Sequence, residues 1–553
     1  MHYGGSARGH GPPRISQDLP EADVNTTTAL HEKRLIPHMV VDALNRAEHQ
    51  PCLFLDGKTA TYQHVREKVS QYAQALEAKN IGIGSRIALL SANCPEVVFI
   101  NLAAHVVGCC VTPMHPKGSL DDHAYVLQDA KIQTLVFQAT NYEERAEKLA
   151  KIVSHPIQFL SIGTSNTGDD CSQLANTFSA CDLSVPNIKG DGISNIVYTG
   201  GTTGTPKGVV HTYASMTYMT MMQMAEWEIP SAVRFMVVTP LSHAGFTCLV
   251  PTLLRGGCLY VPSSFSPDTF FDMVSQHKIT ATMLVPAMLY VLLDHERATT
   301  ANMSSVNTIF YGASPISAIR LREAIEMWGK IFSQFYGQVE APTCFVNLRR
   351  EDHDLEKPGR LESCGRPSSW VQTKLLDEDG NETQIGDVGE ICVRGPLLMQ
   401  HYLNKPSETA EAFTGDWLHT GDLGRLDEEG FLYIVGRKKD MIVTGGFNVY
   451  PREIEDVISA NKHVQQAVVF GVPNDRWGEA VTAVITLRPS VTESSSLADA
   501  LLEEVKVAKG PVQTPKTIHF VDSIPLTPVG KPDKRRLSEV YATQSDSEAA
   551  LEA

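Results

Sequence analysis

The densest group of residues able to hold phosphate is Tyr198-Thr-Gly-Gly-Thr-Thr-Gly-Thr-Pro-Lys-Gly208, directly after the strand-like run Asn195–Tyr198. Glycines this closely spaced leave backbone N–H groups free to surround phosphate oxygens, and Lys207 adds a positive charge. The segment is not a Walker A loop, because no Gly-Lys-Ser/Thr follows four residues after a glycine, and it is not a GxGxxG turn. A flexible turn without a ligand does not explain this composition together with a Pro-Lys-Gly exit. Alone, the segment says that phosphate is bound and no more.

Strands and helices must alternate to position such a loop. Leu53–Leu55 and Thr59–Thr61, joined at Asp56-Gly57, predict a hairpin. Tyr62, Val65, Val69, Tyr72 and Leu76 then recur at helical spacing. Arg86–Leu90, Cys109–Pro113 and Thr134–Phe137 read as strands, with helices over Glu96–Val107 and Leu120–Asp129. The rhythm returns through Met236–Thr239, Leu259–Pro262, Thr282–Val285 and Thr308–Tyr311, which predicts an α/β class of largely parallel, helix-covered sheets. After about residue 370 the chain becomes β-rich, with tight turns at Asp377–Gly380 and Asp427–Gly430. The basic run Arg437-Lys438-Lys439-Asp440 precedes a new series of strands and helices, Glu453–Ser459, Gln466–Phe470, Ala480–Leu487 and Leu497–Lys509. A domain boundary is therefore expected near Lys439.

At 553 residues the chain is too long for a single core. A formal net charge of −16 argues against nucleic acid or anionic lipid as a primary partner, so any phosphate must be held by a local site. The 11 cysteines form no CxxC pair, and Cys109-Cys110 lie in an apolar run, which reads as buried thiols in a reducing compartment. The longest apolar stretch, Val97–Val111, contains Asn101 and His105 and is shorter than the roughly 20 residues that span a bilayer. A cytoplasmic location follows as the expectation. Residues 1–28 read as a disordered arm without a signal-peptide core, and residues 543–553 as a disordered tail.

The loop resembles the signature of the adenylate-forming superfamily, which includes acyl-CoA synthetases, aryl-CoA ligases, luciferases and peptide-synthetase adenylation domains. Its pattern, Thr-Ser/Gly-Gly-Ser/Thr-Thr-Gly-x-Pro-Lys-Gly, is matched from Thr199 to Gly208. Further segments resemble the family's motifs in the same order: Tyr311-Gly-Ala-Ser-Pro-Ile316, Tyr336-Gly-Gln-Val-Glu340, Trp417-Leu-His-Thr-Gly-Asp422, Gly436–Gly446 and Pro528-Val-Gly-Lys531. The resemblance runs from roughly residue 35 to 540. It implies a large N-terminal domain (29–438) of helix-covered sheets with a β-rich subdomain, and a small mobile α+β C-terminal lid (439–542).

The resemblance also implies roles. Thr199, Gly200, Gly201, Thr202, Thr203, Gly204 and Lys207 would cradle the ATP phosphates, while Gly312, Ala313, Ser314, Tyr336 and Gly337 would enclose adenine. Asp422 and Arg437 would hold the ribose. Glu340, with Thr203, would hold Mg²⁺, and Lys531 would bridge the substrate carboxylate and the α-phosphate. Lys439 would be the hinge, and Gly445 and Gly446 would shape a tunnel for the thiol of CoA. His243 would gate an acyl pocket lined by Ala244, Gly245, Leu249, Phe310, Val339, Cys344 and Phe345. Taken singly, Asp422 and Glu340 read as loop carboxylates, His243 as a core histidine, and Lys531 as part of a charged surface.

The implied reaction exchanges the oxide leaving group of a carboxylate for AMP, releasing pyrophosphate, and then forms a thioester with CoA. An anion must approach a polyanion, so catalysis should come from positioning and charge neutralisation. The uncharged pocket residues favour an apolar acid, and small Ala244 and Gly245 would leave room for a medium or long chain or a bulky ring. Two alternatives stay open: transfer of the acyl group to a carrier protein or another nucleophile, and a non-catalytic nucleotide-binding relic. The resemblance is compatible with a homodimer. One position departs from the pattern, because Val339 stands where the motif carries threonine.

Overall fold

The computed structural model describes residues 34–55, 57–199, 206–262, 264–474, 476–489, 491–526 and 532–542. The expected arm and tail lie outside these ranges.

Alternating apolar strands and amphipathic helices assemble, among the described residues, into four sheets. One runs His401–Tyr402, Lys207–Thr212, Ile193–Thr199, Cys110–Pro113, Arg86–Leu90, Thr134–Gln138, Gln158–Ile162 and Asp169–Asp170. Its strands from Ile193–Thr199 to Asp169–Asp170 are parallel, whereas Lys207–Thr212 and His401–Tyr402 join as antiparallel strands at one edge. The second sheet places Phe332–Gln338, Thr308–Gly312, Ala281–Leu284, Arg234–Val237, Cys258–Val261 and Pro51–Leu55 in parallel register, again with antiparallel edges. Buried on both faces, these central strands read as near-continuous apolar runs.

Helices between the sheets fuse both into one hydrophobic core, which includes Pro95–Val106 and Tyr213–Glu226. The latter starts at Thr212, whose hydroxyl accepts from the Ser215 N–H, satisfying an otherwise orphaned amide of the first turn. Cys109 and Cys110 are buried, and burial pushes both thiols up to about 12. All the cysteines are free, and Cys181 is the exposed one.

The β-rich segment forms a third sheet from Gln372–Leu376, Gly389–Arg394, Trp417–Leu426, Phe413–Thr414 and Leu432–Arg437. A short 3₁₀ turn, Lys438–Asp440, leads into the fourth sheet, which carries helices Pro451–Ser459 and Ser495–Lys509 over its own cluster of buried residues. Arg452 donates to the Ile316 carbonyl at 2.6 Å, and Arg488 pairs with Glu323 at 2.9 Å, tying this C-terminal unit to the N-terminal sheets. Among the described residues no helix is long and apolar enough to cross a membrane.

Candidate active site

Thr199 and Lys207 face one another across the antiparallel pair Ile193–Thr199 and Lys207–Thr212, so a hairpin clamps both ends of the glycine- and threonine-rich loop. Gly200, Gly201, Thr202, Thr203 and Gly204 lie outside the described residues. The Lys207 ammonium sits 4.8 Å over the ring of Tyr402, a cation–π contact. The Tyr402 hydroxyl donates to Glu340 Oε1 at 2.7 Å. Burial, reinforced by that carboxylate, keeps the phenol protonated and therefore a donor.

Tyr402 escaped the sequence reading because 62 residues separate it from Glu340 and no motif spacing links them. Only the antiparallel addition of His401–Tyr402 beside Lys207–Thr212 brings it there. Tyr402→Phe is expected to lower the rate of pyrophosphate release by about 10–150-fold, since a hydrogen bond to a charged acceptor contributes about 1.5–3 kcal/mol. Steady-state kinetics over a magnesium titration would check this, and an unchanged rate would remove Tyr402 from the site.

His211 was also missed. Its Nε2–H donates to the Val339 carbonyl at 2.7 Å, and burial lowers its pKa to about 4, so the ring stays neutral. It thereby pins the turn that carries Val339 and Glu340 between strands Phe332–Gln338 and Ala341–Leu348. The Val339 side chain packs against the main core. Restoring a hydroxyl with Val339→Thr is expected to raise kcat/KM by about 2–10-fold, the effect of one neutral hydrogen bond. Kinetics identical to the parent enzyme would show that the bond is not missed.

Asp422 and Arg437 are direct partners across strands Trp417–Leu426 and Leu432–Arg437. Arg437 Nε lies 3.1 Å from Asp422 Oδ1, and the Tyr336 hydroxyl donates to Oδ2 at 2.6 Å. Burial works against the Arg437 charge, yet Asp422, Asp440, Tyr336 and Glu340 outweigh it and hold its pKa above the ordinary value. Burial and the neighbouring Arg437 instead hold Lys439 below the usual lysine range. Asp422, Tyr336, Arg437 and Glu340 therefore share one electrostatic neighbourhood.

Gly312 and Gly337 answer to sterics. A Cβ on Gly312 would lie 2.4 Å from the Phe335 carbonyl oxygen, and one on Gly337 would lie 2.6 Å from the Thr343 nitrogen. Ala313, next in the proposed adenine turn, is exposed with φ +65°, and Ser314 is half-buried.

Among the expected acyl-pocket residues, Leu249, Phe310, Cys344 and Phe345 are fully buried, while Ala244 and Val339 are half-buried. His243 lies in the π-helical turn Leu241–Gly245, and its side chain falls outside the description. The room expected at Gly245 is already occupied: a Cβ there would meet the Pro240 carbonyl and Val237 at 2.9 Å. Its smallness serves the packing of that turn. Phe310 stacks on Trp227 at 4.7 Å, and Cys344 Sγ approaches the Met219 carbonyl at 4.0 Å. Helix Tyr213–Glu226 thus contributes to this wall, which the motif-based reading did not anticipate.

Gly445 and Gly446, at φ +58° and +82°, form the two-residue turn between Ile442–Thr444 and Phe447–Val449. Positive φ at both positions is what such a turn demands, and glycine supplies it without strain. Lys531 lies outside the described residues.

Among the described residues no group of three or more His, Cys, Asp or Glu forms a metal cage. Glu340 still suits Mg²⁺, which commonly takes one or two carboxylates plus substrate phosphates. One Glu340 oxygen is engaged by Tyr402, and the second has no hydrogen bond or ion pair to a described residue.

Comparison with known proteins gives a consistent picture. The AMP-binding enzyme family matches residues 41–403, and its C-terminal domain matches residues 453–531. The chain is 47% identical over 508 residues to a medium/long-chain-fatty-acid–CoA ligase of Mycobacterium tuberculosis, covering 90% of this chain and 88% of that one. It is 31% identical to a feruloyl-CoA synthase of an Amycolatopsis species, covering 86% and 92%. The solved amide bond synthetase of Marinactinospora thermotolerans superposes with a TM-score of 0.84 at 30% identity, over 92% and 99% of the two chains.

Proposed function

We propose that this protein, which belongs to the AMP-binding enzyme family, is an AMP-forming acyl-CoA ligase acting on a largely apolar carboxylic acid. The carrying observation is the convergence of Asp422, Arg437, Tyr336 and Glu340, which lie far apart in sequence, beside the mouth of the phosphate loop.

In this reading Tyr336 and the turn Gly312–Ser314 receive adenine, and Asp422 with Arg437 accepts the ribose. Lys207 and the loop amides neutralise phosphate charge while the acid's carboxylate attacks the α-phosphate. Glu340 with Thr203 would hold Mg²⁺, which would supply further neutralisation of the phosphates. Lys531 orients carboxylate and α-phosphate, and the lid (439–542), pivoting at Lys439 on the domain 29–438, brings Gly445-Gly446 to the path of the CoA thiol. The acid's apolar body lies along His243, Ala244, Leu249, Phe310, Val339, Cys344 and Phe345, while Gly245 serves the tight turn that carries His243 and Ala244. Relatives named for fatty acids and for an aromatic acid support the substrate class.

A second reading, transfer to an amine, is favoured by the similarity to the amide bond synthetase. Pyrophosphate release and CoA consumption, measured with ATP, Mg²⁺ and a panel of acids, separate the two. Acid-dependent pyrophosphate with matching CoA loss supports the ligase. Pyrophosphate without CoA loss supports the other acceptor, and none with any acid refutes both.

A further inference from the structure

Met219, Gln223 and Trp227 recur at four-residue spacing along helix Tyr213–Glu226 and its C-terminal cap, beside the residues proposed to line the acyl pocket. Met219 presents its carbonyl to Cys344, and Trp227 stacks on Phe310 and lies 5.4 Å from Phe335. Trp227 retains a helical φ of −78°, so its side chain leaves the same face as Gln223 one turn earlier.

Both polar groups are enclosed, Gln223 at 0% and Trp227 at 3% exposure. Gln223 Nε2 donates to the Thr247 carbonyl at 3.2 Å, which orients the amide and leaves Oε1 as an acceptor. Thr247 belongs to the gate segment, because its hydroxyl donates to the Ala244 carbonyl at 2.7 Å. Among the described residues neither Gln223 Oε1 nor Trp227 Nε1 has a hydrogen-bond partner. Buried polar groups are almost always paired, so a donor and an acceptor left open one turn apart indicate a ligand group.

We propose that Gln223 and Trp227 recognise one neutral hydroxyl carried on the otherwise apolar body of the acid. A hydroxyl accepts from the indole N–H and donates to the amide oxygen, satisfying both. A ketone would pair with the indole alone, and a second carboxylate would be repelled by the amide oxygen. The nearest carboxylate on the helix, Glu226, is already committed to Arg349 and Ser368. This inference rests on the assignment of the acyl pocket in the proposed function.

The test uses matched acids: cinnamic against 4-hydroxycinnamic, and dodecanoic against 12-hydroxydodecanoic. Binding is read by calorimetry without ATP, and turnover by pyrophosphate release. At least one hydroxylated member should bind about 10-fold or more tightly than its parent, because a site built to hydrogen-bond a hydroxyl rejects the analogue lacking it. Gln223→Leu and Trp227→Phe should each bring that ratio near or below unity. Equal or tighter binding of the parent in both pairs overturns the inference, as does a ratio that survives both substitutions. Because binding is measured without ATP, absence of pyrophosphate would refute the adenylation reading while the binding ratio still decides this one.

Discussion

Replacing Lys531 by alanine is expected to slow acyl-adenylate formation by about 10²–10³-fold, the usual cost of losing a charge aimed at a developing transition state. Thioester formation from supplied acyl-AMP and CoA should continue at close to the parental rate. The asymmetry follows from the chemistry. In the first half-reaction a carboxylate must approach the α-phosphate, and a cation between them offsets their repulsion. In the second, a thiol attacks a mixed anhydride, and AMP leaves without the same encounter of anions. The two half-reactions are assayed separately, by acid-dependent pyrophosphate exchange and by conversion of synthetic acyl-AMP. Equal loss in both would defeat this division of labour.

Asp422→Ala should produce the second large effect, a rise of about 10²-fold in the KM for ATP. Asp422 is 5% exposed and already accepts from Tyr336 and Arg437, so its carboxylate is held rigidly where ribose hydroxyls can add their own bonds. Each hydrogen bond to a charged acceptor contributes about 1.5–3 kcal/mol. The parent enzyme should therefore discriminate ATP from its 2′-deoxy or 3′-deoxy form by about 10-fold or more, and the variant should be nearly indifferent. Discrimination retained in full by the variant would place the ribose elsewhere. Denaturant unfolding of the variant distinguishes a lost contact from a loosened β-rich subdomain, since Arg437 and Tyr336 lose their shared partner as well.

Much of the fold was legible in sequence because its signals are local. Period-two and period-3.6 runs located the helix Leu120–Asp129 at its observed bounds, and most other boundaries within a few residues. The predicted strand Met236–Thr239 is observed at Arg234–Val237, a displacement of the kind that apolar runs buried on both faces invite. Antiparallel edges on the largely parallel sheets were not legible, since pairing depends on which strands meet in space. Glycines proved ambiguous for the same reason: Gly445 and Gly446 occupy a turn that demands positive φ, while Gly245 is small because Pro240 and Val237 press on it.

By itself the sequence offered the candidate chemistry: a glycine- and threonine-rich loop suited to phosphate, ordered acidic and basic motifs, and an uncharged set of residues proposed to line an acyl pocket. Only the tertiary structure decided which groups act together. Strand register sets Asp422 opposite Arg437, an edge strand delivers Tyr402 to Glu340 and Lys207, and helix packing sets Gln223 against the Thr247 carbonyl and Trp227 against Phe310. Hydrogen bonds and ion pairs act over a few ångströms, whereas these partners lie far apart along the chain, so only the folded backbone can bring them within reach.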